Sequence, residues 1–269
     1  RDTADPEDYQ VAVDVIDPAT GSTTTVIPHD QAAVPNAFSP CLLPLPSGKI
    51  LMFHWIEDGP RNLANVLMRV STDGGATWAL GQDYVLPEPI DISTDPEAFE
   101  LGRLRACLVN NQILLVASVR TRNPAHTYQA AFMQWVSADY GNSFTHVETW
   151  DDTDGGDFHE ILAVGPATEP RFAFLYLSIL DLRPRVRFIG SASEPLQGIP
   201  EQEVAPSLEV WGTYDGTSKY IEDGDLAACV DETGMLHVFG RQVDGANECV
   251  SLRRTDSGST WQIMGPDRT

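Results

Sequence analysis

The sequence predicts an all-β protein, a β-propeller of four-stranded antiparallel blades, with four blades visible along the chain. Three observations lead there. No long stretch carries a helical period; short alternating or fully apolar runs dominate, broken by 19 Pro and 21 Gly. One eight-residue phrase recurs three times, each copy following an apolar strand-like run. The copies also fall on a beat of about 60 residues, which suits one four-stranded blade with long connections.

The phrase reads Ser-x-Asp-x-Gly-x-Ser/Thr-aromatic. It occurs as Ser71-Thr72-Asp73-Gly74-Gly75-Ala76-Thr77-Trp78 and as Ser137-Ala138-Asp139-Tyr140-Gly141-Asn142-Ser143-Phe144. The third copy is Arg254-Thr255-Asp256-Ser257-Gly258-Ser259-Thr260-Trp261, with Arg254 in place of the first Ser. Its chemistry is that of a tight turn. The carboxylates of Asp73, Asp139 and Asp256 can accept backbone N–H bonds, as in an Asx turn. Gly75, Gly141 and Gly258 supply a positive φ where a side chain would clash. Trp78, Phe144 and Trp261 then re-enter the sheet and pack beneath the turn. The reading is structural.

Each copy closes a longer unit. The first unit, 38–90, has strands at Phe38–Leu45, Lys49–Ile56, Ala64–Ser71 and Trp78–Leu86. The second, 100–150, has Leu104–Val109, Gln112–Val119, Tyr128–Val136 and Phe144–Trp150. The third, 157–210, has Glu160–Val164, Arg171–Ile179 and Arg185–Gly190; Ser191-Ala192-Ser193-Glu194 stands where the acidic turn is expected. The fourth, 222–269, has Leu226–Val230, Met235–Gly240, Glu248–Arg253 and Trp261–Met264. The steps from Asp73 to Asp139, to Ser193 and to Asp256 are 66, 54 and 63 residues. Residues 1–37 form an N-terminal hairpin or linker, Tyr9–Ile16 and Thr23–Ile27 around Pro18-Ala19-Thr20-Gly21, and read as outer strands of another blade.

The chain has 269 residues, 42% of them hydrophobic and 9% aromatic, enough for a packed core. Acidic residues number 39 against 17 basic, a net charge of −22. Such a surface repels nucleic-acid phosphates and anionic membranes. It suits a secreted, marine or virion-surface protein, and plain solubility accounts for it equally. No apolar run approaches the roughly 20 residues of a membrane helix. The chain begins at Arg1 without Met or an apolar leader, so a removed leader or a longer parent chain is expected. Cys41, Cys107, Cys229 and Cys249 form no C-x-x-C pair, which argues against zinc. The first three sit in similar apolar runs and read as buried free thiols.

The repeated phrase resembles the Asp-box, or bacterial neuraminidase repeat, of sialidase-like β-propellers. The resemblance covers roughly Phe38 to Met264. It implies a six-bladed ring, with the boxes on its outer rim and the active site elsewhere. With four units visible, the missing blades are expected in further sequence or their place is taken by neighbouring chains; a closed four-bladed ring is the third choice.

The resemblance also implies a chemistry: three arginines grip a substrate carboxylate as guanidinium forks, a Tyr nucleophile is assisted by a Glu, and an Asp serves as acid and base. The family's first arginine falls here on Phe38, in Phe38-Ser39-Pro40, although the following Cys41-Leu42-Leu43 through Gly48-Lys49-Ile50-Leu51 matches well. Asp58, in Glu57-Asp58-Gly59-Pro60-Arg61-Asn62, is the candidate acid. Counting from Gly234 puts the Glu at Asp225 and the second arginine at Arg241. The bland alternatives are a solvated turn carboxylate and an incidental ion pair. The third arginine and the Tyr have no counterpart.

His54 and Trp55, with Arg120, Arg122 and His126, are candidates for a sugar-stacking surface. Acidic residues cluster in 151–160 and again in Tyr220-Ile221-Glu222-Asp223-Gly224-Asp225. The first loop could hold Ca²⁺ through hard oxygen ligands, though it lacks the rest of an EF-hand; otherwise no cofactor or metal is expected. The leading expectation is a non-catalytic recognition or structural module, a candidate binder of cell-surface glycans, extracellular or on a cell or virion surface, within a larger assembly of chains. A sialidase-class exo-glycoside hydrolase is the first alternative and a ligand-free tail or fibre scaffold the second.

Overall fold

The structure is a computed structural model and describes residues 11–28, 36–58, 63–82, 90–91, 99–122, 128–152, 156–178, 183–204, 220–243, 248–254 and 260–264. The all-β expectation is borne out. A hairpin of β1 (Val13–Ile16) and β2 (Thr23–Val26) precedes four antiparallel sheets whose strands pair in chain order. Blade I holds β3 (Asn36–Pro44), β4 (Ile50–Asp58), β5 (Leu63–Ser71) and β6 (Ala79–Gln82), and β7 (Ile90–Asp91) pairs with the far end of β5. Blade II holds β8 (Phe99–Val109), β9 (Gln112–Arg122), β10 (Tyr128–Ser137) and β11 (Thr145–Asp152). Blade III holds β12 (Gly156–Val164), β13 (Arg171–Ser178), β14 (Pro184–Ile189) and β15 (Gln202–Glu203). Blade IV holds β16 (Tyr220–Val230), β17 (Leu236–Val243), β18 (Glu248–Arg254) and β19 (Trp261–Ile263).

The first strands touch in the order β3, β8, β12, β16 and line the axis. Among the described residues no packing of that extent joins β16 to β3. Blades I to III are middle layers, and this explains their unbroken apolar runs. In β13 both faces are covered, and every residue from Phe172 to Leu177 is buried. Leu51, Phe53 and Trp55 of blade I meet Ile113, Leu115 and Trp135 of blade II. Leu114, Val116 and Phe132 on the other side of blade II meet Phe172, Phe174 and Tyr176 of blade III. Ala173, Leu175 and Val186 meet Leu236, Val238 and Leu252 of blade IV. Phe132 and Phe174 make an edge-to-face pair at 5.5 Å; truncating such a ring to Ala costs about 3–5 kcal/mol.

The two described copies of the repeated turn are bonded alike. Ser71 Oγ and Ser137 Oγ each donate to the Asp carboxylate two residues on, at 2.8 Å. Each also accepts a glycine N–H at 2.8 Å, from Gly75 and Gly141. Asp73 and Asp139 accept the N–H of Thr77 and of Ser143, both at 2.9 Å, along with the two hydroxyls. Trp78 Nε1 returns to the Gly75 carbonyl at 2.9 Å. These bonds hold both carboxylates below their ordinary range; the hydroxyl bonds from Thr77 and Ser143 are the largest cause, and Asp73 is brought down to about 2. Asp256 and Gly258 lie outside the described residues, while Trp261 is buried in the core between blades III and IV.

Each turn rests on the preceding layer. Gly141 lies so close to Leu51 of blade I that an added Cβ would come within 2.4 Å of it. Ser191 and Ala192 of blade III both bond Gln112 of blade II. Gly75 of blade I lies against Val15 of the β1–β2 hairpin. The hairpin therefore occupies the position of a preceding blade, with Val11 and Val13 packed beside Ala37 and Met52. Two further points differ from the sequence reading. Blade III gains a fourth strand, β15, after a one-turn 3-10 helix, Leu196–Gly198, despite its altered turn. Cys41 and Cys107 are buried, but Cys229 is exposed, on the side of blade IV that no other described blade covers.

Candidate functional site at the broken inner strands

All four axial strands lose register with their partners at a comparable height. In β3 the pairing jumps from Phe38↔Trp55 to Cys41↔Phe53, expelling Ser39 and Pro40. In β8 it jumps from Leu101↔Val119 to Leu104↔Ala117, expelling Gly102 and Arg103. In β12 His159 is the single extra residue, between Phe158 and Glu160. In β16 residues 222–225 are looped out between Ile221↔Gln242 and Leu226↔Gly240. Regular pairing then resumes for four to six residues before each inner turn. The breaks therefore collect at one end of the axis.

Local sequence accounts for the first two. Pro40 has no N–H to give a ladder, and Ser39 takes φ 53 beside it. Gly102 passes so close to β9 that a Cβ would lie 2.2 Å from Ser118 Oγ. Ser118 Oγ instead accepts the Arg103 N–H at 2.9 Å. From the neighbouring blade, Trp55 Nε1 donates to the Gly102 carbonyl at 3.0 Å and fixes the shape of the break. Bulges of this kind re-aim residues and free backbone groups near sites of binding.

Just past the breaks the axis carries charge. Arg105 Nε lies 3.2 Å from Glu160 Oε2, bridging blades II and III, and both side chains are about a third exposed. A pair that open to water contributes about 0–1 kcal/mol to stability. Beside it, Cys41 Sγ accepts the Ala106 N–H at 3.2 Å. Burial pushes the Cys41 thiol up to about 11, and burial together with Glu160 pushes Cys107 up to about 12. Neither is a nucleophile at neutral pH.

Asp225 belongs to the break of β16, and Arg241 is the β17 residue opposite it, between Gly240 and Gln242. The fold thus brings these two together at the backbone. Asp58, Arg120 and Arg122 lie toward the same end of the second strands β4 and β9. The side chains of Phe38, Asp58, Arg120, Arg122, Asp225 and Arg241 are outside the described set, as is His126 altogether. The stacking surface expected of His54 and Trp55 is corrected: both are fully buried, Trp55 in the core between blades I and II. His54 occupies in β4 the place opposite a break that Ser118 has in β9 and Arg241 in β17. The acidic loop 151–160 proposed for Ca²⁺ falls largely outside the described side chains. Among the described residues no group of three His, Cys, Asp or Glu could hold a metal ion, and no helix is long and apolar enough to cross a membrane.

One constellation escaped the sequence reading. Tyr176 donates its hydroxyl to the Glu201 carboxylate, and Arg187 lies 4.4 Å over the Trp150 ring and 3.6 Å from Glu201. A Tyr beside a carboxylate has the composition of an activated nucleophile, but this Tyr is 2% exposed. Burial first, then the bond to Glu201, pushes its pKa far above the ordinary value. The group is structural. The breaks themselves had a visible signal: Pro40, Gly102 and Gly224 fall within strand segments.

No protein-family model matches the chain, and no curated protein sequence matches it. Its fold does match solved structures. An exo-β-1,3-galactanase from Phanerochaete chrysosporium superposes with a TM-score of 0.51 at 12% identity, over 94% of this chain and 52% of that one. An α-L-arabinanase from Penicillium chrysogenum gives 0.52 at 12%, over 84% and 64%. An α-L-arabinofuranosidase from Fusarium graminearum gives 0.51 at 13%, over 84% and 64%. These are β-propeller glycoside hydrolases, and the chain spans between half and two thirds of their length. At such identity the likeness is one of fold.

Proposed function

We propose that the chain is a non-catalytic, glycan-binding propeller module displayed on an extracellular, cell or virion surface as part of a larger assembly. The carrying observation is the row of aligned breaks, which places Ser39, Arg103, His159 and Asp225 toward one end of the axial strands. Charged and polar residues carried by the breaks suit the hydroxyls of a sugar. Phe38, standing where the resembled sialidase-like family has an arginine, favours binding without turnover. The fold relatives' names, galactanase and arabinanase, support a carbohydrate ligand class. The test is a glycan array followed by calorimetry on the best hit. Micromolar to millimolar binding weakened by Arg103→Ala or Asp225→Ala is expected. Silence across the array would sink this reading and leave a ligand-free scaffold.

A second reading is an exo-glycosidase, of sialidase or another class. It is favoured by one observation, that Arg241 faces the break containing Asp225 across the β16–β17 ladder. Turnover of aryl sialosides, galactosides or arabinosides, lost in Asp225→Ala, would establish it.

A further inference from the structure

Trp55 is fully buried between blades I and II, and its one polar atom is directed at the break of β8. Its indole Nε1 donates to the Gly102 carbonyl at 3.0 Å. Gly102 and Arg103 are the two residues that leave the β8–β9 register. Ser118 of β9 is buried opposite them and bonds the Arg103 backbone. Its Oγ accepts the Arg103 N–H at 2.9 Å and lies 3.5 Å from the Arg103 carbonyl, to which it can donate. A further tie follows on the same strand: Cys41 Sγ of blade I accepts the Ala106 N–H at 3.2 Å.

These ties hold the segment 102–106 from two directions. Blade I grips Gly102 and Ala106, and β9 grips Arg103 between them. The fit requires the glycine: a Cβ at 102 would lie 2.2 Å from Ser118 Oγ and 3.0 Å from the Ser118 carbonyl. A buried indole N–H needs an acceptor, and this one takes the carbonyl at the break rather than one inside a regular ladder. A side chain whose backbone is already fixed loses less freedom when it meets a ligand.

We propose that Trp55 and Ser118 are positioning residues for Arg103: together they clamp its backbone in one conformation, so that Arg103 is the preorganised ligand contact in the row of breaks. Trp55 does not touch the ligand. It acts from behind, through the Gly102 carbonyl. Because its bond crosses from blade I to blade II, the site is competent only where those two blades are docked. The role in binding rests on the glycan reading given above; the clamp itself rests on the hydrogen bonds alone.

Two measurements on the full chain test it, the first without ligand. Trp55→Phe keeps an aromatic ring in the core and removes the indole N–H. Amide exchange followed by NMR should then rise at Arg103, whose own acceptor Ser118 is untouched, by about threefold to tenfold, the effect of one hydrogen bond. The amides of Leu114, Leu115 and Val116, in the core of the same blade, should not change. Ser118→Ala gives the reciprocal reading and serves if Trp55→Phe does not fold: exchange of the Trp55 indole N–H should rise to a similar extent. An unchanged Arg103 amide or indole N–H, or a rise shared equally by 114–116, overturns the clamp. The second measurement uses the glycan found on the array. Trp55→Phe and Ser118→Ala should each weaken binding by about threefold to tenfold, and neither should weaken it further once Arg103→Ala is present. Losses that add to that of Arg103→Ala, or unchanged affinity, overturn the positioning role. Silence across the array sinks the glycan reading and the role in binding with it, and exchange then decides the clamp alone.

Discussion

Gly165 and Gly234 join the inner turns of blades III and IV directly: Gly165 N–H donates to the Gly234 carbonyl at 2.8 Å. Both take positive φ, 90° and 85°. A Cβ on Gly234 would lie 2.0 Å from Gly165 O. Gly234→Ala therefore pays for left-handed backbone and also drives the two turns apart. The expected loss is about 2–4 kcal/mol, read as a lower denaturant midpoint with an unchanged slope. Gly48 takes a similar φ of 82° with nothing within 4 Å of its Cβ position. Gly48→Ala should cost only about 1–2 kcal/mol. Equal losses at both sites would refute the turn-to-turn contact.

The repeated acidic turn makes stability depend on pH in a defined window. Asp73 is lowered from 3.8 to about 2, chiefly by the Thr77 hydroxyl bond and then the Thr77 N–H. A depressed folded value means that the stabilisation is complete above the unfolded pKa and fades as pH falls through the folded one. The window is therefore about pH 4 to 2. Asp73→Asn should be less stable than wild type at pH 7, and the gap should shrink across that window in urea titrations. A gap that stays constant down to pH 2 would contradict the assignment.

The repeat was legible because its physics is local. A Ser, an Asp and a Gly at fixed offsets specify one turn, and the apolar runs around it specify strands covered on both sides. The third unit was less legible because its turn is held from a distance. Ser193 replaces the Asp, and its hydroxyl keeps only the bond to Ser191, at 2.8 Å. The rest comes from Gln112 and Gln134 of blade II and Arg187 of β14, up to 80 residues away in sequence. His54 and Trp55 misled for a related reason: an aromatic or imidazole ring reads the same in sequence whether it lines a cleft or fills a core. Asp225 and Arg241 were picked out only by counting from Gly234, as the resemblance implies, a count that a hairpin keeps in register. The breaks that give them a setting depend on alignment between blades, which no single hairpin reveals.

Gln134 tests that distant support. Fully buried, it donates through Nε2 to the carbonyls of Ala192 and Glu194 at 2.9 and 2.8 Å, and accepts the Leu196 N–H at 3.1 Å. Gln134→Leu preserves volume but strands three backbone groups. At about 1–3 kcal/mol for each buried group left unmade, partly relieved by relaxation, a loss of about 3 kcal/mol is expected. Hydrogen exchange should rise first around 191–199 and in β15. Unchanged protection there would show that Arg187, bonded to the carbonyls of Leu196 and Ile199 at 2.9 and 2.5 Å, holds the segment alone.

The cysteines report which blade faces are covered. Cys229 is exposed, whereas Cys41 and Cys107 are buried and their thiols are pushed up to about 11 and 12. Thiolate is the reactive form, so burial and protonation both protect the latter two. Iodoacetamide at pH 8, with peptides mapped by mass spectrometry, should label Cys229 in the native protein in minutes. Cys41 and Cys107 should react only after unfolding, at a rate that follows denaturant. Peptide mapping keeps Cys249 separate. Labelling of Cys107 as fast as Cys229 would mean that blade III does not cover blade II, and the stack of blades would be wrong at its centre.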